Sequence, residues 1–182
     1  MVRIGIIGVG VMGAGHARFI KEHVPGAQVV ALFDIDTQKI ADLAGELGTV
    51  TVQTTNPETL MNHPDVDAVI IASPDPLHVA HLKLAIACKK PILCEKPIAT
   101  TLEDARAIAQ EVKTYEKSVG KIMIHFGFMR RFDASYREVK RLIETGDYGK
   151  PTFFRTITRN VASTGATTPG LFTNIAIHDF DI

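Results

Sequence analysis

The stretch that decides the fold is VRIGIIGVGVMG, residues 2–13. An Ile/Val-rich run of strand character breaks into Gly8-Val9-Gly10-Val11-Met12-Gly13 and continues with helical character as AGHARFIKEH. A GxGxxG pattern alone is weak, because a tight glycine turn in any α/β protein reads the same way. The context here is specific: a strand precedes it, a helix follows, and Asp34 closes the next strand, AQVVALFD, about 20 residues further on. Each glycine then has a task. Gly8 permits a sharp exit from the strand, Gly10 removes a side chain that would hold a diphosphate off the backbone, and Gly13 lets the helix lie close to the sheet. The N–H groups of the helix start, at Val11, Met12 and Gly13, suit an anion. Asp34 is placed to accept hydrogen bonds from ribose hydroxyls, and its charge would repel a 2′-phosphate, so the expected cofactor is NAD rather than NADP.

Working outward, residues 27–34 read as a second strand. Residues 36–47 read as a helix opened by Asp36 or Thr37 and closed by Gly48, and 49–53 as a third strand. Asn56-Pro57 starts a helical turn. Residues 67–72 form a short apolar strand that empties into Ser73-Pro74-Asp75-Pro76-Leu77-His78, with a helix to about Cys88. Residues 91–94 are a fifth strand followed by Glu95-Lys96-Pro97, and a helix capped by Thr100 or Thr101 runs to about Glu116. This alternation predicts a doubly wound parallel α/β sheet of the Rossmann type, with ligands at the carboxyl ends of its strands. Beyond residue 120 the pattern changes to α+β: strand 122–128, a polar turn at 129–133, helix 136–144, strand 151–159, a Ser/Thr/Gly loop at 160–170 and a helix over 171–182 starting near Thr173. The expected domains are therefore 1–120, dinucleotide-binding, and 121–182, the beginning of an incomplete substrate-binding domain.

The 182 residues suit one full domain plus part of another. A net charge of +0 leaves no basic surplus for nucleic acid. No apolar run reaches the roughly 18 residues of a membrane span, and the chain enters a strand at once rather than through a leader, so the expected location is cytoplasmic. Cys88 and Cys94 cannot make a disulfide framework and read as small buried apolar residues, with no His or basic arrangement at Cys94 that argues for a thiolate nucleophile.

Oxidising an alcohol with NAD needs a base for the hydroxyl proton and a positive group beside the developing alkoxide. Lys96 leaves the fifth strand beside the expected nicotinamide position, and His178 brings an imidazole, the side-chain type whose ordinary range near neutrality suits a base. The plain alternatives are a surface lysine and a solvated helix histidine. His78 and His81, spaced i, i+3, could face a metal, but no carboxylate or cysteine set completes such a site, so no metal is expected. His16, His23, His63 and His125 read as local in role.

With residues 8–13, Glu95-Lys96-Pro97 and Asn174-Ile175-Ala176-Ile177-His178-Asp179-Phe180-Asp181 together, the chain resembles the glucose-fructose oxidoreductase/inositol dehydrogenase/MocA-type oxidoreductase family over essentially its whole length. Gly127-Phe128-Met129-Arg130-Arg131-Phe132-Asp133 is most similar to the myo-inositol 2-dehydrogenases within it. The resemblance implies that Lys96 holds the substrate hydroxyl and that a cis bond precedes Pro97. It also places Glu95 near the nicotinamide ribose and lines the cofactor site with Ser73 and His78. His178 becomes the catalytic base and Arg130 lies close to a polyol substrate. The implied activity is NAD-dependent oxidation of a secondary hydroxyl of a polyol or sugar, myo-inositol or a related cyclitol. A non-catalytic NAD-binding module, or an inactive fragment of such a dehydrogenase, is the alternative. An oligomer built through the second-domain sheet is also implied. Three departures stand out. Asn174 occupies a position where the family often has Asp, and can orient the imidazole but not offset its charge. Thr158-Arg159-Asn160 lacks the His that inositol enzymes often carry before Arg-Asn. Family members are about twice as long, about two ordinary domains, so a fragment or a shortened protein is expected.

Overall fold

Paired apolar residues in the strands build two cores. Ile6, Leu32 and Ile70 face one layer, while their neighbours Ile7, Phe33 and Ile71 face the other, as the two-residue period of a strand requires. The structure, a computed structural model, describes residues 1–121, 123–158 and 171–181. It divides into Met1–Phe126 and Gly127–Ile182.

The first unit holds strands β1 (Val2–Ile7), β2 (Ala27–Phe33), β3 (Val52–Thr54), β4 (Ala68–Ile71), β5 (Ile92–Cys94) and β6 (Ile124–Phe126). They form one sheet in the order β3-β2-β1-β4-β5-β6, with every pair parallel. This is the doubly wound order, with its reversal between β1 and β4. Helices α1 (Val11–His23) and α2 (Thr37–Leu47) cover one face through Ala17, Ile20, Ile40, Leu43 and Leu47. Helices α3 (Pro57–Met61), α4 (His78–Ala87) and α5 (Leu102–Val119) cover the other through Leu60, Leu82, Ala85, Ile108 and Val112. The caps follow the local chemistry. Asp36 accepts from the Gln38 and Lys39 amides and Thr101 from the Asp104 amide, while Gly48 and Gly120 close α2 and α5 with φ of 73° and 71°. The sixth strand lies beyond the boundary expected near residue 120. It hydrogen-bonds to β5, so the first unit extends to Phe126.

In the second unit a 3-10 turn (Met129–Phe132) leads to α6 (Ala134–Thr145). This helix starts two residues before the expected position because Asp133 caps it, accepting from the Ser135 and Tyr136 amides. A π-helical segment (Leu171–Ala176) continues into α7 (Ile177–Phe180). The strand expected over 151–159 is not formed over 151–158, because no described residue supplies a ladder partner. Arg159 and the loop expected at 160–170 lie outside the described residues.

Candidate active site at the carboxyl edge of the sheet

Three turns leave the carboxyl ends of β1, β4 and β5, and neighbouring strands hold each in place. The Gly8 amide donates to the Phe33 carbonyl at 2.8 Å, the Ala72 amide to Ile7 at 2.8 Å, and the Glu95 amide to Ile71 at 2.9 Å. Residues 8–13, the Ser73 turn and Glu95-Lys96-Pro97 are thereby aligned along one edge.

The glycines of the first turn divide by cause. Gly8 has φ +91°, and a Cβ there would lie 2.7 Å from the Ala72 carbonyl oxygen; a Cβ at Gly13 would lie 1.9 Å from the Gly8 oxygen. Both are glycine because the protein's own backbone leaves no room. A Cβ at Gly10 would meet nothing within 4 Å. Nothing in the chain demands glycine there, yet it caps α1 with φ −67° and ψ −164° and offers no side-chain hydrogen bond to the helix start. Open space above the uncapped amides of Val11, Met12 and Gly13, with Val11 91% exposed, fits a diphosphate laid on the backbone. Asp34 stands at the adjoining strand end. Its Oδ2 accepts the Val9 amide at 2.9 Å and its Oδ1 the Asp36 amide at 3.1 Å, which aims the carboxylate and leaves each oxygen further acceptor capacity.

At the third turn the Lys96–Pro97 bond is cis. Glu95 is buried; its Oε1 lies 2.8 Å from His16 Nε2 on α1, and its Oε2 accepts the Lys96 amide at 3.3 Å. Burial pushes the Glu95 carboxyl up, but the hydrogen bond and charge of His16, with the amide and charge of Lys96, outweigh it and hold the group below its ordinary value. The Ser73 turn folds inward. The Ser73 hydroxyl is 2.9 Å from His81 Nδ1, and His78, 1% exposed, places Nε2 at 2.8 Å from the Ser73 carbonyl and Nδ1 at 2.7 Å from the Pro97 carbonyl. The turn containing Ser73 and His78 is the one expected to line the cofactor site. The Ser73 hydroxyl and the His78 ring engage the protein, because a buried imidazole or hydroxyl must find partners, and so hold the turns of the site. Burial, followed by the charge of His78, pushes His81 below the ordinary imidazole value. Burial and then Glu95 push the Cys94 thiol well up, which leaves it inert as a nucleophile.

In the second unit His178 is buried on α7 and meets the Phe128 ring edge-on, with centroids 6.5 Å apart. The next residue, Asp179, accepts from Arg130 and from the hydroxyls of Thr156 and Thr158 at 3.0 and 2.9 Å. The Arg130 hydrogen bond is the largest of the influences that hold the Asp179 carboxyl below the usual range. Arg130 also donates to Thr158 at 3.2 Å and lies over the Tyr136 ring, while Arg131 pairs with Asp181. Both arginines are thus ion-pair partners of the carboxylates flanking Phe180. The side chain of Asn174 lies outside the described residues. Among the described residues no three His, Cys, Asp or Glu side chains cluster as a metal site, and no helix is long and apolar enough to cross a membrane.

The glycine turn, the strand-ending acid and the sheet order are those of a dinucleotide fold, and residues 2–122 match the model of the oxidoreductase family with an NAD-binding Rossmann fold. The chain belongs to this family. Inositol 2-dehydrogenase 1 of Saccharopolyspora erythraea is 40% identical over 183 residues, which cover 100% of this chain and 53% of that protein. Myo-inositol dehydrogenase from Lactobacillus casei, solved with NAD(H) and myo-inositol, superposes with a TM-score of 0.87 at 33% identity over 100% of this chain and 52% of that one. Scyllo-inositol dehydrogenase from the same organism, with NAD(H) and scyllo-inositol, gives 0.74 at 31% identity over 82% and 42%. The chain spans about half the length of the relatives it matches.

His16 reads as local in the sequence, and the structure gives it a distant partner. The histidine lies three residues after Gly13, on the same helical face, and that spacing was the available signal. Its partner Glu95 is 79 positions away, and only the parallel sheet brings the two together.

Proposed function

We propose that the chain carries the cofactor half and catalytic groups of an NAD-dependent oxidoreductase acting on a secondary alcohol of a polyol or sugar, with myo-inositol or a related cyclitol as substrate. The observation that carries this reading is the alignment of the glycine turn, Asp34 and Glu95-Lys96-Pro97 along one sheet edge, at the reversal of strand order where such sheets take their ligands. The named inositol dehydrogenases support the substrate class.

The amides of Val11, Met12 and Gly13 hold the diphosphate, with the open face of Gly10 letting it approach. Asp34 accepts the adenosine ribose hydroxyls and disfavours a 2′-phosphate. When bound, the nicotinamide supplies the acceptor for the carbinol hydride. Lys96 steadies negative charge on the substrate oxygen through its ammonium. His178 takes the hydroxyl proton on its imidazole, and Asn174 orients that ring without balancing its positive charge. Arg130, anchored by Asp179, secures the turn beside His178 and contributes to the polyol pocket.

The test is to mix the protein with NAD and a panel of polyols led by myo-inositol, and to follow the reduced-nicotinamide absorbance. The expected result is reduction that Lys96→Ala lowers by orders of magnitude with NAD affinity retained. NAD binding without reduction of any kind would favour a non-catalytic dinucleotide module.

A further inference from the structure

Two imidazoles grip the segment that carries Lys96, one on each side. His16, on the dinucleotide helix α1, reaches the side chain of the residue before the lysine: Nε2 lies 2.8 Å from Glu95 Oε1, and the same carboxylate accepts the Lys96 amide at 3.3 Å. His78, at the start of α4, reaches the backbone of the residue after it: Nδ1 lies 2.7 Å from the Pro97 carbonyl, while Nε2 lies 2.8 Å from the Ser73 carbonyl. One latch therefore ties Lys96 to the helix that starts at the glycine turn, and the other, through the Pro97 carbonyl, ties it to the start of α4. Carbonyl oxygens only accept, so each His78 contact needs an N–H on that nitrogen. A neutral ring donates to one carbonyl at a time, and a doubly protonated ring satisfies both. His78 is fully buried, so water does not easily replace its contacts, while the His16–Glu95 contact is part-buried; loss of either would be felt in the position of the segment.

We propose that His16 and His78 are positioning residues that fix Lys96 relative to the bound cofactor, acting through Glu95 and Pro97 respectively and touching neither cofactor nor substrate themselves. The proposal rests on the reading of Lys96 as the group beside the reacting oxygen. An ammonium displaced by about 1 Å can lose about a hundredfold in rate while ground-state binding is barely changed.

The different ring atoms used by the two latches supply the test. Asn carries its amide nitrogen near the place of Nδ1 and Gln near the place of Nε2, so His16→Gln and His78→Asn keep the donor that faces Glu95 or Pro97. His16→Asn and His78→Gln remove it. The expected pattern is crossed: His16→Asn and His78→Gln lower kcat with NAD and myo-inositol about ten- to a hundredfold, while His16→Gln and His78→Asn stay within about threefold of the parent. The NAD dissociation constant, from calorimetry, stays within about twofold throughout. In a Lys96→Ala background the same changes have no further effect on kcat. Exchange of the Lys96 amide with deuterium, which needs no turnover, speeds about tenfold in His16→Asn and His78→Gln only.

An uncrossed pattern, with all four variants equally impaired, overturns the proposal, as does full loss persisting on top of Lys96→Ala. Should the parent chain turn over no polyol, the hydride-transfer reading fails by itself. The latches then stand or fall on amide exchange alone, and exchange unchanged in His16→Asn and His78→Gln refutes them.

Discussion

Replacing Gly10 and Gly13 by alanine should separate a glycine needed by a ligand from a glycine needed by the fold. At Gly10 the backbone is in an extended region open to any residue, and a Cβ meets nothing within 4 Å. Alanine is a poorer helix cap than glycine by about 0.5–1 kcal/mol, but it removes about 0.4–1 kcal/mol of unfolded-state freedom. The two nearly cancel, so the stability of Gly10→Ala should match the parent within about 0.5 kcal/mol. Its methyl group instead occupies the approach to the Val11 and Met12 amides. Losing one charge-assisted hydrogen bond there removes about 1.5–3 kcal/mol, which weakens NAD about ten- to 150-fold. At Gly13 the Cβ would sit 1.9 Å from the Gly8 carbonyl oxygen, a backbone atom that can yield only if the turn moves. The cost is about 3 kcal/mol or more, a fall in Tm of about 6–12 °C at this size. Thermal melts and NAD calorimetry on both variants read the two outcomes. Unimpaired NAD binding by Gly10→Ala, or parental stability in Gly13→Ala, would refute the division of roles.

Three further outcomes follow from other parts of the molecule. Asp34→Asn keeps an acceptor for only one of the Val9 and Asp36 amides, which donate to different oxygens of the carboxylate, and drops the charge, so the preference for NAD over NADP should shrink about tenfold, measured by competitive titration. Lys89, exposed after α4 with φ 56°, is a non-glycine residue in the left-handed region; Lys89→Gly should stabilise by about 1 kcal/mol, a rise of about 2–4 °C in Tm. The side-chain and backbone hydrogen bonds from Arg3 lower the Asp67 carboxyl to about 2. Unfolding therefore takes up a proton between about pH 4 and pH 2, so the stabilisation is complete above about pH 4 and lost as pH falls through about 2. In denaturant titrations Asp67→Asn should be the less stable protein at pH 7, with its deficit vanishing near pH 2.

The parallel sheet was legible because its signals are local: glycines at a strand exit, caps such as Asp36 and Thr101, and short apolar runs of β-branched residues. The candidate site was legible where a motif puts chemistry next to structure, as at residues 8–13 and at Glu95-Lys96-Pro97. Contacts that the sheet order creates were not. The reach of His16 to Glu95, and of His78 to Pro97, depends on which strands lie side by side, and periodicity carries no record of that. The same limit hid the destinations of Arg130 and Arg131, which lie about 50 positions from Asp179 and Asp181. The strand expected over 151–159 failed for the opposite reason. Alternation is local, but a strand forms only against a neighbour.

The most direct measurement is an NAD titration of the isotope-labelled protein followed by amide shifts in NMR. The account predicts that the largest changes fall at Gly10, Val11, Met12, Gly13, Asp34 and Lys96, saturating together with one dissociation constant. Changes confined to other surfaces, or none at these amides at millimolar NAD, would contradict it.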